Sequence, residues 1–360
     1  MQNRKIIVAG AGPSGLSAAI NLVKAGYQVD VYEKRSDTGK RFHGDLQGLE
    51  NWSSKTNVIY ELERMNIRIN FDCDPFRKLT ITNGSKQRIS HYPEDGPLCY
   101  LVKRGAMPGS LDQGLKEQAL EAGVNIRLGQ TIPLEEADIV ATGPISREIF
   151  AVDKGIVFDT EYEDTNVFLV NDEAAYKGYS YLLITRGYGC LCTVLFDRFK
   201  ELDTCYETSR EMFKESIPFD IQNPRPVAGV GCFSTRNVFR QGKTLFVGEA
   251  AGIQDLLWGF GIRTAIQSGY LAADCIVNNQ DYEKRARGFF EPKLKATVIS
   301  RFIWELARFK DYTIVVNKKF NKNARRAFDL SAFYNFGTLH TLVYPVARLS
   351  MRRRYPNLRL

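Results

Sequence analysis

The stretch that most constrains this chain runs from Lys5 to Gly15 and reads K-I-I-V-A-G-A-G-P-S-G. Ile6, Ile7 and Val8 form a β-branched apolar run that predicts a strand. Leu16 to Lys24 predicts a helix closed by Gly26, and Gln28 to Glu33 predicts a second strand ending in an acid. Between the first strand and the helix stand Gly10, Gly12, Pro13, Ser14 and Gly15. In such a turn the first glycine permits a sharp reversal. The second lets the backbone approach a pyrophosphate, and the third lets helix and strand pack closely. The helix N-terminus offers free N–H groups and partial positive charge to phosphates. Glu33 lies 18 residues beyond Gly15, about the separation at which a carboxylate accepts hydrogen bonds from a ribose. A glycine pattern alone is also what a plain βα turn shows. Here strand, helix, second strand and acid all agree with it, and the reading is a dinucleotide site.

Lys34 to Asn51 is rich in glycine and charge and predicts a long loop passing close to the cofactor. Within it Lys40 and Arg41 are candidates for phosphate. His43 is a candidate for the redox centre, against the plainer reading of a surface histidine. Trp52 to Met65 predicts a helix, and Ile67 to Ile89 predicts strands with Asn83-Gly84 as a hairpin turn. Leu98 to Lys103 predicts a strand followed by Arg104. Ser110 to Glu121 predicts a helix with Ser110 as N-cap and Gly123 as C-cap. Val124 to Leu128 and Ala137 to Ala141 predict further strands, the second delivering Thr142 and Gly143 to its C-terminal end. Gly155 to Ala228 predicts a separate β-sheet that the Ile67–Ile89 region completes, covered by a helix near Thr208 to Ser216. Thr244 to Gly252 repeats the order strand, Gly248, Glu249, small residues. Gly259-Phe260-Gly261-Ile262 then opens a helix through Ala273. An acid at that strand end can accept from ribityl hydroxyls, and a helix starting at Gly261 directs its N–H groups at phosphate or at a flavin ring.

Beyond residue 281 the chain reads as helical and basic. Phe302, Ile303, Leu306 and Phe309 share one helical face, and Phe333 to Leu349 is aromatic-rich and ends in Arg352-Arg353-Arg354. Two readings stand for this region: a helical cap on the core, or an amphipathic segment associated peripherally with a membrane surface. The net charge of +8 gathers at Lys318, Lys319, Lys322, Arg325 and Arg326, and again at Arg348, Arg352, Arg353 and Arg354. Such clusters suit solvent, an anionic membrane or a phosphate-bearing substrate. No nucleic-acid module accompanies them, so nucleic acid is not expected. The strand begins so near Met1 that no signal peptide is expected, and no apolar run reaches transmembrane length. Seven cysteines form no C-x-x-C pair, and Cys190 and Cys192 fall on one face of a strand. A disulfide framework is not expected, nor is a metal site, and a cytoplasmic location fits. The 360 residues suffice for two interleaved domains.

The motifs G-A-G-P-S-G, A-D-I-V-A-T-G and V-G-E-A-A-G…G-F-G-I-R-T-A-I-Q-S-G resemble the flavin-dependent geranylgeranyl reductase family, within the larger para-hydroxybenzoate-hydroxylase-like flavoproteins. The resemblance implies an α/β fold: a Rossmann-like FAD-binding domain, an inserted antiparallel β-sheet substrate domain and a helical C-terminal region. The boundaries expected are 1–60 with 98–150 and 236–280 for the FAD domain, 61–97 with 151–235 for the substrate domain, and 281–360 for the helical region. It implies that Gly10, Gly12, Pro13, Ser14 and Gly15 hold the FAD pyrophosphate and Glu33 the adenosine ribose, with Lys34 and Arg41 close by. Arg104 resembles the family's cofactor-contacting arginine. Thr142, Gly143 and Gly248 approach the cofactor, Glu249 replaces the usual aspartate, and Gly259, Gly261 and Ile262 lie beside the flavin ring. There are departures. Where reductases of the family often carry K-x-C-G-G, this chain reads Arg41-Phe42-His43-Gly44-Asp45. Where they carry Y-x-W-x-F-P, it reads Tyr179-Ser180-Tyr181-Leu182-Leu183-Ile184.

The function this implies is an FAD-dependent oxidoreductase that reduces C=C bonds of a hydrophobic isoprenoid or lipid-like substrate. His43, Asp45 or Tyr181 is the expected proton donor, and NAD(P)H or ferredoxin the electron donor. Two alternatives stand beside it: a monooxygenase on a hydrophobic or aromatic substrate, and a lycopene-cyclase-like flavoprotein or flavin-bearing binding protein without net redox change. The W-x-W-x-I-P stretch of related halogenases is absent from the sequence.

Overall fold

The computed structural model describes residues 4–84, 88–91, 96–145, 148–233, 237–308, 312 and 333–356. Its strands are β1 (Lys5–Ala9), β2 (Gln28–Glu33), β3 (His43–Glu50), β4 (Asp74–Phe76), β5 (Leu79–Thr82), β6 (Arg88–His91), β7 (Cys99–Gly105), β8 (Asn125–Leu128), β9 (Ile139–Val140), β10 (Ile149–Asp159), β11 (Thr165–Leu169), β12 (Tyr179–Thr185), β13 (Tyr188–Leu195), β14 (Gln222–Cys232), β15 (Arg240–Gln241) and β16 (Thr244–Phe246). The α-helices are α1 (Pro13–Lys24), α2 (Val58–Arg64), α3 (Leu111–Ala122), α4 (Leu202–Ser216), α5 (Ile262–Val277), α6 (Tyr282–Ala307) and α7 (Thr338–Arg354). Among the described residues no helix is long and apolar enough to cross a membrane.

A six-stranded sheet, ordered β15-β16-β9-β1-β2-β8, is parallel except for β15. Helices α1 and α5 pack on each other beside it, and small residues set their approach: a side chain at Gly269 would sit 2.0 Å from the Ser14 carbonyl. Ser17 Oγ closes the contact by donating to the Ile266 carbonyl at 2.9 Å. The helix begins at Pro13 rather than Leu16, because proline fits the first helical position, where its missing N–H costs nothing. Residues Ser14 to Leu22 are all buried, as a helix covered on both sides requires. A seven-stranded sheet, ordered β14-β10-β13-β12-β11-β5-β6, forms the second layer, antiparallel except where β11 meets β5. Helix α4 covers its outer face through Tyr206 and Phe213.

The three-stranded sheet β3-β7-β4 joins these two units. Its two-residue period splits its apolar side chains. Leu49 and Val102 enter the core of the parallel sheet, while Leu46 and Leu101 enter a cluster with Val157 and Leu183 of the seven-stranded sheet. This corrects three expectations. Lys34 to Asn51 is half strand, not loop; its glycines hid the pattern. Gly48 must be glycine here, because a side chain would meet the Phe260 ring at 2.7 Å. Residues 61–72, expected in the substrate domain, pack through Leu62, Met65, Ile67 and Phe71 on the parallel-sheet core, and of the 61–97 segment only β5 and β6 join the large sheet. The helix expected over Trp52 to Met65 is confined to α2, which Asn57 caps by accepting from Ile59 N.

The C-terminal helices bring a further correction. The face of α6 carrying Ile303 and Leu306 points outward, at 50% and 44% exposure, while Arg301 and Glu305 face inward at 0%. Their ion pair at 3.0 Å, extended to the Lys177 carbonyl and to Arg354, lets charge replace apolar packing there. Phe309 and the basic cluster Lys318, Lys319, Lys322, Arg325 and Arg326 lie outside the described residues.

Candidate active site

The glycine turn is built around close backbone approach. Gly10 has φ +107°, and a side chain on it would lie 2.3 Å from the Ala141 carbonyl. One on Gly15 would lie 2.0 Å from the Gly10 carbonyl. Gly12 is different: the space a Cβ would occupy is open, at the N-terminus of α1 where free N–H groups converge. Glu33 accepts from Ala11 N at 3.0 Å and from Arg35 N at 2.9 Å, which holds its carboxylate beside the turn. Ser14 is buried, with its hydroxyl against Gly248, so only its backbone faces the turn. Lys34 and Thr142 are exposed at the rims of neighbouring strands.

Across from the turn, Arg41 straps two units together. Its Nη1 donates to Glu249 Oε2 at 2.6 Å, and its Nη2 to the Val230 carbonyl of β14 at 3.1 Å. Gly143, at φ +81°, leaves room beside both side chains of the pair. Glu249's charge raises the Arg41 guanidinium further above its ordinary value. Behind Arg41 lie two acids. Asp45 accepts from His43 N at 3.1 Å, and burial pushes its carboxyl above the usual range. Asp153, on β10, is pushed up to about 6 by burial and then by Asp45, against the pull of Arg41. Cys192 Sγ lies 3.9 Å from Asp153 Oδ2. Asp153 was not anticipated from the sequence. Its signal was an acid at the same strand parity as Ala151 and Val157, both of which are buried.

An apolar cleft is walled by Trp52, Phe168, Tyr179, Trp258, Phe260 and Trp304, and the charge of Asp153 reaches its Tyr179. Asp255, fully inside, accepts from Leu257 N at 2.8 Å, Trp258 N at 3.2 Å, Phe260 N at 3.3 Å and Tyr334 Oη at 2.9 Å, and so shapes the turn that presents both aromatic rings. Tyr179 Oη donates to the Trp258 carbonyl. Arg263, at 1% exposure, pairs with Glu61 at 2.6 Å and donates to the Thr56 carbonyl at 3.0 Å, fixing the start of α5. Gly259 (φ +82°) and Gly261 both face open space. Ile262 is buried at the first turn of α5.

The expected catalytic residues are distributed unevenly. His43 is exposed at the start of β3. Tyr181 sits among Phe168 and Tyr179, and burial pushes its phenol well above its ordinary value. Asp45 is held up by burial, and its charge acts on Asp153. Arg104, expected at the cofactor, commits its guanidinium to Asp112 at 2.9 and 3.0 Å and to Gln47 at 3.0 Å, and stacks 4.2 Å from the Phe42 ring centroid. Among the described residues no group of three or more His, Cys, Asp or Glu side chains is arranged to hold a metal ion.

Comparison with known proteins agrees with this architecture. The family model for NAD(P)-binding Rossmann-like domains matches residues 8–46. An all-trans-zeta-carotene desaturase of Myxococcus xanthus is 56% identical over 41 residues, a stretch that spans 11% of this chain and 8% of the desaturase. Among solved structures, a geranylgeranyl bacteriochlorophyll reductase-like protein of Thermoplasma acidophilum is similar with a TM-score of 0.64 at 18% identity, over 98% of this chain and 96% of that one. The flavin-dependent brominase Bmp2 is similar with a TM-score of 0.65 at 16% identity, over 98% and 100%. The 2-methyl-3-hydroxypyridine-5-carboxylic acid oxygenase is similar with a TM-score of 0.59, over 94% and 100%. The chain thus has the fold of the flavin-dependent oxidoreductases: a Rossmann-like unit, additional sheets and a helical C-terminal region.

Proposed function

We propose that this chain binds FAD and, with the flavin reduced, saturates C=C bonds of an apolar isoprenoid-type substrate. The observation that carries the reading is an almost wholly apolar aromatic cleft, with the open glycines Gly259 and Gly261 flanking its Phe260 in the chain and the charge of Asp153 reaching its Tyr179. The residues fit the cofactor. Gly12 leaves room for a pyrophosphate at a helix N-terminus, Glu33 has lone pairs free for a ribose, and Arg41 is within reach of phosphate once it leaves Glu249. Reduced FAD supplies the hydride.

The protein's part is to bind, orient and protonate. Trp52, Trp258 and Phe260 hold an apolar chain and exclude water. Asp153, pushed up to about 6 by burial and then by Asp45, holds a proton in the weakly acidic range and delivers it to the carbon opposite the hydride. Tyr181 holds its proton more tightly and His43 stands outside, so Asp153 is the donor in this reading. The names of two similar proteins, which speak of geranylgeranyl and carotene, support an isoprenoid substrate. NAD(P)H or a ferredoxin supplies the electrons.

The test is anaerobic. The flavoprotein is reduced with dithionite, freed of excess reductant and mixed with a geranylgeranyl-bearing lipid. Re-oxidation of the flavin with loss of a double bond by mass spectrometry is the expected result. Re-oxidation only on admitting oxygen would remove that substrate class and favour oxygen-using chemistry. Turnover of substrate with no change in flavin state would make it a non-redox, cyclase-like protein.

A further inference from the structure

We infer that the outer face of α7 docks on an anionic lipid bilayer. Leu339, Leu342, Val346 and Leu349 are 72%, 73%, 60% and 53% exposed, and their spacing of three, four and three residues aligns them in one stripe along the helix. The opposite face is already used: Ala347 and Met351 are fully buried. The helix cannot roll to hide its stripe. Arg354 donates to Glu305 Oε2 at 2.8 Å, Tyr355 donates to Glu305 Oε1, and Glu305 is itself paired with the buried Arg301. Ile303 and Leu306 of the adjoining α6 also face outward.

Charge selects the occupant. Arg348, Arg352 and Arg353 are exposed around the stripe, and from residue 330 to the C-terminus the sequence contains no Asp or Glu. A second copy of the chain laid on this face would oppose arginine to arginine. Anionic headgroups neutralise the arginines, and the acyl boundary takes the leucines. The placement also suits the cleft, because Ala347 and Met351 share one apolar cluster with Trp258, Trp304 and Ile81, which line it. Docking itself requires neither FAD nor the proposed reaction, so its test reads membrane binding alone.

The full chain is sedimented with vesicles of mixed phosphatidylglycerol and phosphatidylcholine, and with vesicles of phosphatidylcholine alone. Binding to the anionic vesicles only, weakened by salt, is expected. Leu342→Glu with Val346→Glu should abolish it, and Arg352→Ala and Arg353→Ala should each weaken partitioning about fivefold. These side chains are outward, and unchanged thermal melts verify that the variants fold. The inference is overturned if the protein stays in the supernatant with anionic vesicles, if it binds neutral vesicles equally, or if the double glutamate variant binds like the parent. It is also overturned if light scattering finds a dimer that the glutamate variant converts to monomers.

Discussion

Asp153 is a single carboxyl whose environment is set by two sheets. Held near 6 in the folded chain, against an ordinary value of 3.8, it keeps its proton in the native state over a window where the unfolded chain has lost it. Stability therefore falls as pH rises from about 4 to about 6 and then levels, by roughly 2–3 kcal/mol for this group. Asp153→Asn removes that dependence. Urea titrations should show the variant losing less stability across this window than the parent. Its flavin re-oxidation by substrate should slow by at least about 100-fold and lose its inflection near pH 6, the loss expected of a general acid. An unchanged pH profile would assign the proton to another group. Residues of this kind were only half legible. Gly10 and Gly15 announce themselves because their backbone demands are local, and the structure gives the physical reason in carbonyls that leave no room for a Cβ. Asp153 acquires its character from burial and then from Asp45, against Arg41; strand parity hints at the burial, but both charged partners are distant in sequence.

At the scale of elements, strands and helices whose apolar period faces one core were readable. Helix α3, with Ser110 accepting from Gln113 N and Gly123 in the left-handed conformation, is an example. Strand β3 was not, because it serves two cores through alternate faces and carries Gly44 and Gly48 for close contacts. Helix α6 misled for the opposite reason. Its buried face mixes apolar residues such as Val298, Ile299 and Trp304 with the Arg301–Glu305 ion pair, so the stripe of Ile303 and Leu306 pointed the wrong way. This makes a sharp prediction. Glu305→Gln leaves the Arg301 guanidinium inside without its counter-ion and loosens Arg354, which should cost about 3 kcal/mol. A shift of the urea midpoint corresponding to less than about 1 kcal/mol would mean that the Lys177 and Leu257 carbonyls suffice for Arg301.

For the whole molecule, the two large sheets communicate through β3-β7-β4 and through Arg41, which reaches Glu249 on one side and the Val230 carbonyl on the other. Both side chains of that ion pair are about one-third exposed, so Arg41→Ala should change stability by less than about 1 kcal/mol. The same substitution should weaken FAD binding, read by flavin fluorescence, by at least about tenfold, because a charge-assisted bond to phosphate is lost. Equal losses in both measurements would make Arg41 a structural strap only. The order of the parallel sheet has one more consequence. Strand β1 is made at residues 5–9, but strand β16, which extends its sheet beyond β9, and helix α5, which packs on α1, arrive only at residues 244–277. A nascent chain leaving the ribosome therefore carries α1 with its small-residue face bare until α5 has been made. Folding of this unit waits on the synthesis of residues 244–277, which makes the newborn chain a natural client for chaperones that shield apolar surface.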